Sequence, residues 1–423
     1  MKKFTKQLLF FIVLFTSLST VVLAQEKEKP FGITFYGYVK NDFFYDSRQT
    51  VDAREGHLLM WPKAPSYDAN NIDINAHGSF NFLAIQTRLG GKITGPDVIG
   101  AKSSAMFEGE FFGHTDADIN GFRLRHAIIK LNWTKSEIMT GQFWHPMFTL
   151  ECFPGTVSFN TGLGFAPFSR NPQIKYTYTA GKVKLMLTAY GERDFTSRNM
   201  LGVPSSSYIR NSGTPGINFH LDYGNTNVEK ERALNTGFVA NYISIQPELI
   251  TTAGYQTNQL VHALAGLVYV NAKFKPINIK FAGVYAENGA GITIPGGYAV
   301  LDILDPTTLE CKYIPTRAAS AWIDISSTGK TWKYGIFAGY THNLGTSKDI
   351  DEIGVFGGLG TNIHHLYRIS PRINYYSGKF QIGAEIEYTA AAYGDGTFTS
   401  RTIANNPEEV ANIRFILGVF YNF

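Results

Sequence analysis

Charge is scarce in this chain: only 17% of its 423 residues are Asp, Glu, Lys or Arg. An ordinary soluble α/β enzyme of this size carries roughly 25%. Long apolar runs are also missing. Beyond the extreme N-terminus no stretch reaches the roughly 20 consecutive apolar residues of a spanning helix, and mean hydropathy is only −0.10. Helical transporters are thereby excluded, as are disordered and collagenous chains. Cysteine is down to two residues. What is abundant is glycine (42) and aromatic side chains (32 Phe, 23 Tyr, 5 Trp), the composition of a β protein with little charge for its outside.

The first residues read as a secretory signal. Lys2, Lys3 and Lys6 form a basic start, Leu8 to Phe15 is almost wholly apolar, and Val22-Leu23-Ala24 ends the segment with residues a signal peptidase accepts. The apolar core is too short for a membrane anchor, and Gln25 rather than Cys follows, so lipid anchoring is not indicated. The expected division is a signal peptide at 1–24, a short leader at 25–31 and one domain at 32–423. Cleavage leaves 399 residues and lowers the net charge from +4 to +1. A near-neutral exported chain gives no support for nucleic-acid binding.

From Ile33 onward apolar and polar residues alternate with period two, the mark of a strand with one apolar and one wet face. Ile33, Phe35, Gly37, Val39, Phe43 and Tyr45 share one face; Thr34, Tyr36, Tyr38, Lys40 and Asp42 share the other. Similar segments follow near 79–94, 102–113, 121–133, 136–145, 172–180, 182–193, 216–223, 232–246, 260–274, 277–288, 318–327, 331–343, 365–377, 379–393 and 410–423. That makes about sixteen strands. Connectors alternate between tight turns such as Ala180-Gly181, Lys275-Pro276 and Ser377-Gly378 and long loops such as 47–78, 146–171, 194–215 and 289–317. Short turns at one end and long loops at the other describe an all-β transmembrane antiparallel barrel, with periplasmic turns and extracellular loops.

Aromatic residues mark both ends of several apolar faces: Trp332 and Tyr340, Tyr367 and Tyr375, Phe380 and Tyr388. Eight residues at about 3.3 Å each, tilted by about 40°, rise roughly 20 Å, close to the apolar band between two aromatic girdles. The last strand alternates Ala411, Ile413, Phe415, Leu417, Val419 and Tyr421 and ends on Phe423. A terminal Phe on a phased strand resembles the signal read by the barrel-insertion machinery.

In strand count and loop asymmetry the chain resembles the sixteen-stranded porins of the Gram-negative outer membrane. Phe122-Arg123-Leu124-Arg125-His126-Ala127 and Gly141-Gln142-Phe143-Trp144 are similar to the DcaP-like and phosphate-selective porin group. The resemblance implies a homotrimer of water-filled barrels in lipid and lipopolysaccharide, passing small polar solutes by diffusion without a cofactor. It also implies that the third extracellular loop, here about 146–171, folds inward as a constriction. That loop departs from the general-porin pattern: Glu151 is its only acid, Arg170 lies near its end, and Phe148, Leu150, Phe153, Val157, Phe159, Phe165 and Phe168 make it apolar.

Parity turns Lys40, Arg88, Arg123, Arg125, Lys175, Lys184, Lys280, Lys333, Arg368, Arg372 and Arg414 inward, with the acids Asp42, Glu108, Glu110, Glu192, Asp222, Asp324, Glu385 and Glu387. In the fourth strand Arg123 and Arg125 share parity with Ile129 and Leu131, so a bulge is expected near Ala127. Two readings of the charges stand side by side. Opposite charges on neighbouring strands can form wall ladders; a surplus of arginine can instead form an anion path. On the second reading Arg88, Arg123, Arg125 and Arg414 are the basic wall, with Lys40 and Arg368 next, and the channel prefers anions mildly.

Other candidates are weaker. Cys152 and Cys311, both in exported loops, are a possible disulfide. Asp349, Asp351 and Glu352 lack the spacing of a calcium loop, and His364-His365 read as loop surface, because adjacent strand residues face opposite ways. No metal site is expected. A barrel enzyme of the protease or phospholipase class would need partners for His126, His145 or His220 that no motif supplies. Tyr36, Tyr38, Phe44 and Trp322 could line a sugar-specific channel, although wall packing explains them equally.

Overall fold

A computed structural model of the chain describes residues 31–160, 162–350, 356–394 and 407–423. The signal segment 1–24, the leader up to residue 30, and Asp351 and Glu352 lie outside the described residues.

Sixteen strands form one closed antiparallel barrel. They are β1 (Gly32–Asp46), β2 (Ser79–Leu83 continued by Arg88–Val98), β3 (Ala101–Glu110), β4 (Arg123–Asn132), β5 (Ser136–Trp144), β6 (Arg170–Ala180), β7 (Val183–Tyr190) and β8 (Gly216–Asn227). Then follow β9 (Arg232–Ile245), β10 (Val261–Phe274), β11 (Ile277–Glu287), β12 (Glu310–Ser327), β13 (Trp332–Thr346), β14 (Ile363–Ser377), β15 (Phe380–Tyr393) and β16 (Glu408–Asn422). Each expected segment corresponds to one of these strands. β1 pairs with β2 on one side and with β16 on the other, from Tyr38 opposite Asn422 to Asp46 opposite Arg414. Among the described residues closure leaves the barrel wall no open sheet edge, which in lipid would cost several kcal/mol per unpaired group.

Alternation sorts the two faces. On β1, Ile33, Phe35, Val39, Phe43 and Tyr45 are exposed on the outside, whereas Lys40, Asp42, Phe44 and Asp46 are buried inside. The girdles are continuous across strands. Trp332 pairs with Tyr375 and their rings lie 4.8 Å apart near the turns. Near the loops Tyr340 pairs with Tyr367, whose ring is 6.0 Å from that of Tyr388.

The fourth strand carries the expected bulge. Glu108 faces His126 but Gly109 faces Leu124, so Arg125 is the extra residue. Leu124 and Ile129 therefore both point outward while Arg123, Arg125 and His126 are buried within. A second irregularity at Ile363/His365 corrects the expectation for the paired histidines. His364 is the extra residue there, and the two rings meet, Nδ1 to Nδ1, at 2.9 Å.

Above the barrel, Gly296–Asp305 pairs with the outer end of β12 and with Phe356–Leu359, so the sixth and seventh loops are partly sheet.

Candidate functional site: the barrel lumen

The inward charges form two nests. In the first, Glu110 on β3 is ringed by four guanidinium groups: Arg123 (2.7 Å), Arg125 (2.8 Å), Arg88 (3.2 Å) and Arg170 (3.4 Å). Glu108 takes Arg125 Nε at 2.7 Å, and Asp194 from the loop after β7 takes Arg170 at 2.8 Å. The β3 acids thus sit between the β2 and β4 arginines. Arg170, expected in the constriction loop, opens β6 and joins this nest.

The second nest lies near the closure. Arg414 grips Asp46 with Nε (2.9 Å) and Nη2 (2.6 Å). Arg372 pairs with Asp324 through both terminal nitrogens at 2.9 Å, although Glu385 is its register partner on β15. Lys40 pairs with Asp42 at 3.0 Å, and Asp42 also takes His57 at 2.8 Å. Arg368 reaches Glu387 only at 3.9 Å, but donates to the carbonyls of Leu59 and Met60. Stripping water from a guanidinium costs several kcal/mol unless it is paired and hydrogen-bonded. Arg125, Arg170, Arg368 and Arg414 are all less than 2% exposed, and each has such a partner. Arg368 Nη1 and Arg414 Nη1 nevertheless remain buried without a hydrogen-bond partner.

Loop 3 (145–169) crosses the lumen and is tied to the wall along its length. Asn271 donates to the Glu151 carbonyl and Lys280 to the Phe153 carbonyl. Gly155 N–H donates to Asp324. The amides of Val157 and Ser158 donate to Glu385, and Asn160 donates to Glu387 at 3.1 Å. Thr341 and Ser320 donate to the carbonyls of Gly164 and Phe165 at 2.7 Å. The loop's aromatics pack behind these ties: Phe148 stacks on Trp144 at 4.1 Å, Phe159 lies 4.7 Å from Phe112, and Phe165 meets Phe337.

Loop 1 also enters the barrel, which the sequence reading missed. A hairpin of Thr50–Ala53 and Leu58–Pro62 buries Leu58, Leu59, Met60 and Trp61. Leu59 N–H donates to Asn160 of loop 3 at 2.8 Å, so the two loops brace each other. The signal was present: Leu58-Leu59-Met60-Trp61 is an apolar run in a loop that would otherwise face water. Between loop 3 and the wall from β5 to β8 remains a cavity of about 60 Å³ lined by Trp144, Glu151, Lys175, Asn218 and His220. Glu192 lies in the loop after β7 and is buried. Burial pushes its carboxyl up to about 7, with Ser197 N–H and Oγ donating to it at 2.9 Å.

The possible disulfide is not formed: Cys152 and Cys311 are both free. Cys152 Sγ sits 3.6 Å from the carbonyl of Phe281, which pairs with Ile323. Cys311 is twelve residues up β12 from Ile323, about 40 Å at strand spacing, against the few ångströms a bridge requires. Trp322 packs against Phe337 rather than lining an open track. Among the described residues no group of three His, Cys, Asp or Glu side chains is placed to hold a metal.

A closed sixteen-strand antiparallel barrel with inward charges and an infolded third loop is the architecture of the outer-membrane porins. No protein-family model matches the chain, and no curated protein matches it. Among solved structures it is similar to the outer membrane channel DcaP of Acinetobacter baumannii, with a TM-score of 0.66 and 17% identity over 95% of this chain and 100% of that one. The trimer form of OmpT, an outer membrane protein of Vibrio cholerae, matches with a TM-score of 0.53 and 11% identity over 93% and 100%. An anion-selective porin from Comamonas acidovorans matches with a TM-score of 0.52 and 10% identity over 93% and 100%.

Proposed function

We propose that this chain is a porin of narrow bore: a passive channel across a Gram-negative outer membrane for small polar solutes, with a preference for anions. The observation that carries the reading is the pairing of an apolar, girdled outer face with a charged interior crossed by loop 3. Such an outside is stable only in lipid, and such an inside only where water or fixed partners reach it. A chain that merely plugged the membrane would gain nothing from charges along its whole inner wall.

An enzymatic reading finds less support. His126 packs on Phe143 and Trp144, His145 on Tyr190, and His220 bonds Tyr269 at 3.0 Å. None of these contacts joins a histidine to a serine nucleophile, the arrangement hydrolysis would need. The names of the DcaP channel and the Comamonas anion-selective porin favour transport, and the OmpT trimer favours assembly as a homotrimer. On this reading residues 1–24 are removed on export, the insertion machinery reads the strand ending at Phe423, and lipid and lipopolysaccharide surround the girdles. Liposome swelling with uncharged sugars of increasing size tests the reading. Swelling with the smallest solutes and a steep size cut-off are expected; no swelling with any solute, from liposomes holding folded protein, would reject it.

A further inference from the structure

The irregularity in β14 gives three of the chain's ten histidines a common place on the outside of the barrel. In an unbroken strand His364 and His365 would face opposite ways. Here His364 is the extra residue opposite β15, and the residues flanking the pair, Ile363 and Leu366, both turn into the core. The two histidines are thereby left on the outer face. His342 on β13 lies opposite His365 in register, and its ring is 4.8 Å from that of His364. His342 and His365 stand two residues loopward of Tyr340 and Tyr367. The patch is therefore on the loop-side rim, above the girdle and away from the lumen.

The nitrogens are disposed as metal ligands are. His365 Nε2 faces Glu409 Oε2 at 3.5 Å, and the Tyr367 hydroxyl donates to the other oxygen of that carboxylate at 2.9 Å. A carboxylate beside one ring nitrogen keeps the proton there and leaves the other nitrogen its lone pair, as in most metal-bound histidines. The nitrogen so freed, His365 Nδ1, lies 2.9 Å from His364 Nδ1. With metal–nitrogen bonds of about 2.0–2.1 Å, two nitrogens at that separation subtend about 90° at a shared ion. That is the cis angle of a tetragonal site, which suits Cu²⁺ or Ni²⁺, and it is narrower than the angle of tetrahedral Zn²⁺. His342 Nδ1 is buried without a hydrogen-bond partner, a costly condition that a bond to the same ion would relieve. Among the described residues no third side chain already stands in ligating position, so a small rotation of the His342 ring, with water, completes the set.

We propose that His364 and His365 bind a divalent transition-metal ion, copper before nickel or zinc, with His342 as the third ligand and Glu409 orienting His365. Copper leads because the affinity of nitrogen sites peaks at Cu²⁺. Such an ion ties the end of β13 to the start of β14, at the base of the seventh loop. The inference is independent of conduction.

The test is titration of the folded, untagged full-length barrel in detergent with copper sulfate, after stripping with a chelator. One Cu²⁺ per chain should bind, with a tetragonal electron paramagnetic resonance spectrum split by two or three imidazole nitrogens. His364→Gln/His365→Gln should abolish this binding, His342→Gln should remove the splitting from one nitrogen, and Glu409→Gln should weaken binding by about 10–100-fold. Heat-modifiability on gels checks that each variant is folded. Where one is not, diethyl pyrocarbonate labelling of the parent decides: copper should shield His364 and His365 but not the exposed His77 and His114. Folded parent that binds no copper, a His364→Gln/His365→Gln barrel that binds it like the parent, or labelling of the pair undiminished by copper overturns the site. Unchanged splitting in His342→Gln overturns the third ligand.

Discussion

Replacing Glu385 by Ala is the sharpest probe of how loop 3 is held. Glu385 accepts the amides of Val157 and Ser158 and the hydroxyl of Ser370, and its removal strands no arginine, because Arg372 keeps Asp324. Hydrogen bonds to a charged acceptor are each worth about 1.5–3 kcal/mol, so losing the two amide bonds weakens this anchorage by about 3–6 kcal/mol. At 1.4 kcal/mol per tenfold, the open population of segment 155–160 rises by about a hundredfold or more. The ties at Phe153, Gly164 and Phe165 confine the change to that segment. Single-channel recording should show larger or noisier conductance for Glu385→Ala, with Glu385→Gln intermediate because one accepting oxygen remains. Identical conductance and noise in parent and folded Glu385→Ala protein would refute the tethering argument.

Three further outcomes are expected. A Cβ at Gly37 would lie 2.1 Å from the Arg88 carbonyl oxygen and 2.7 Å from the Phe423 ring. Gly37→Ala should therefore cost about 1–3 kcal/mol through overpacking and lower the yield of heat-modifiable barrel on gels; undiminished yield would contradict this seating of the C-terminal ring. Glu192 has a folded pKa of about 7 against an ordinary 4.5, so the folded state binds the extra proton between those values. Stability of its loop should fall as pH rises through that window, by roughly 3 kcal/mol in all. Protease nicking of 191–215 should accordingly be faster at high than at low pH in the parent, and nearly pH-independent in Glu192→Gln. Finally, denatured, unreduced protein should take up two alkyl groups, at Cys152 and Cys311; uptake of none would mean that they pair.

Much of the barrel was legible in the sequence because its strands obey one rule, lipid outside and charge inside, which survives as strict period two. The slip at Arg123 and Arg125 was readable for the same reason, since only a bulge returns Ile129 to the lipid face. Ion-pair partners were less legible. Glu108 and Glu110 meet arginines on adjacent strands, where register alone decides. Arg414 chooses Asp46 only because closure brings β1 beside β16, and Glu385 serves loop amides that no strand pattern reveals. The inward turn of loop 1 depends on room left by loop 3, which is a property of packing in three dimensions. The spacing of Cys152 and Cys311 failed similarly: both belong to connectors, but one connector folds down the lumen and the other climbs a strand extension.

The central claim is that this barrel conducts. Single-channel recording of refolded, heat-modifiable protein in planar bilayers tests it most directly. Small, discrete conductance steps that favour chloride, arriving in threes for a trimer, are the predicted result. A silent bilayer containing correctly folded protein would contradict the account.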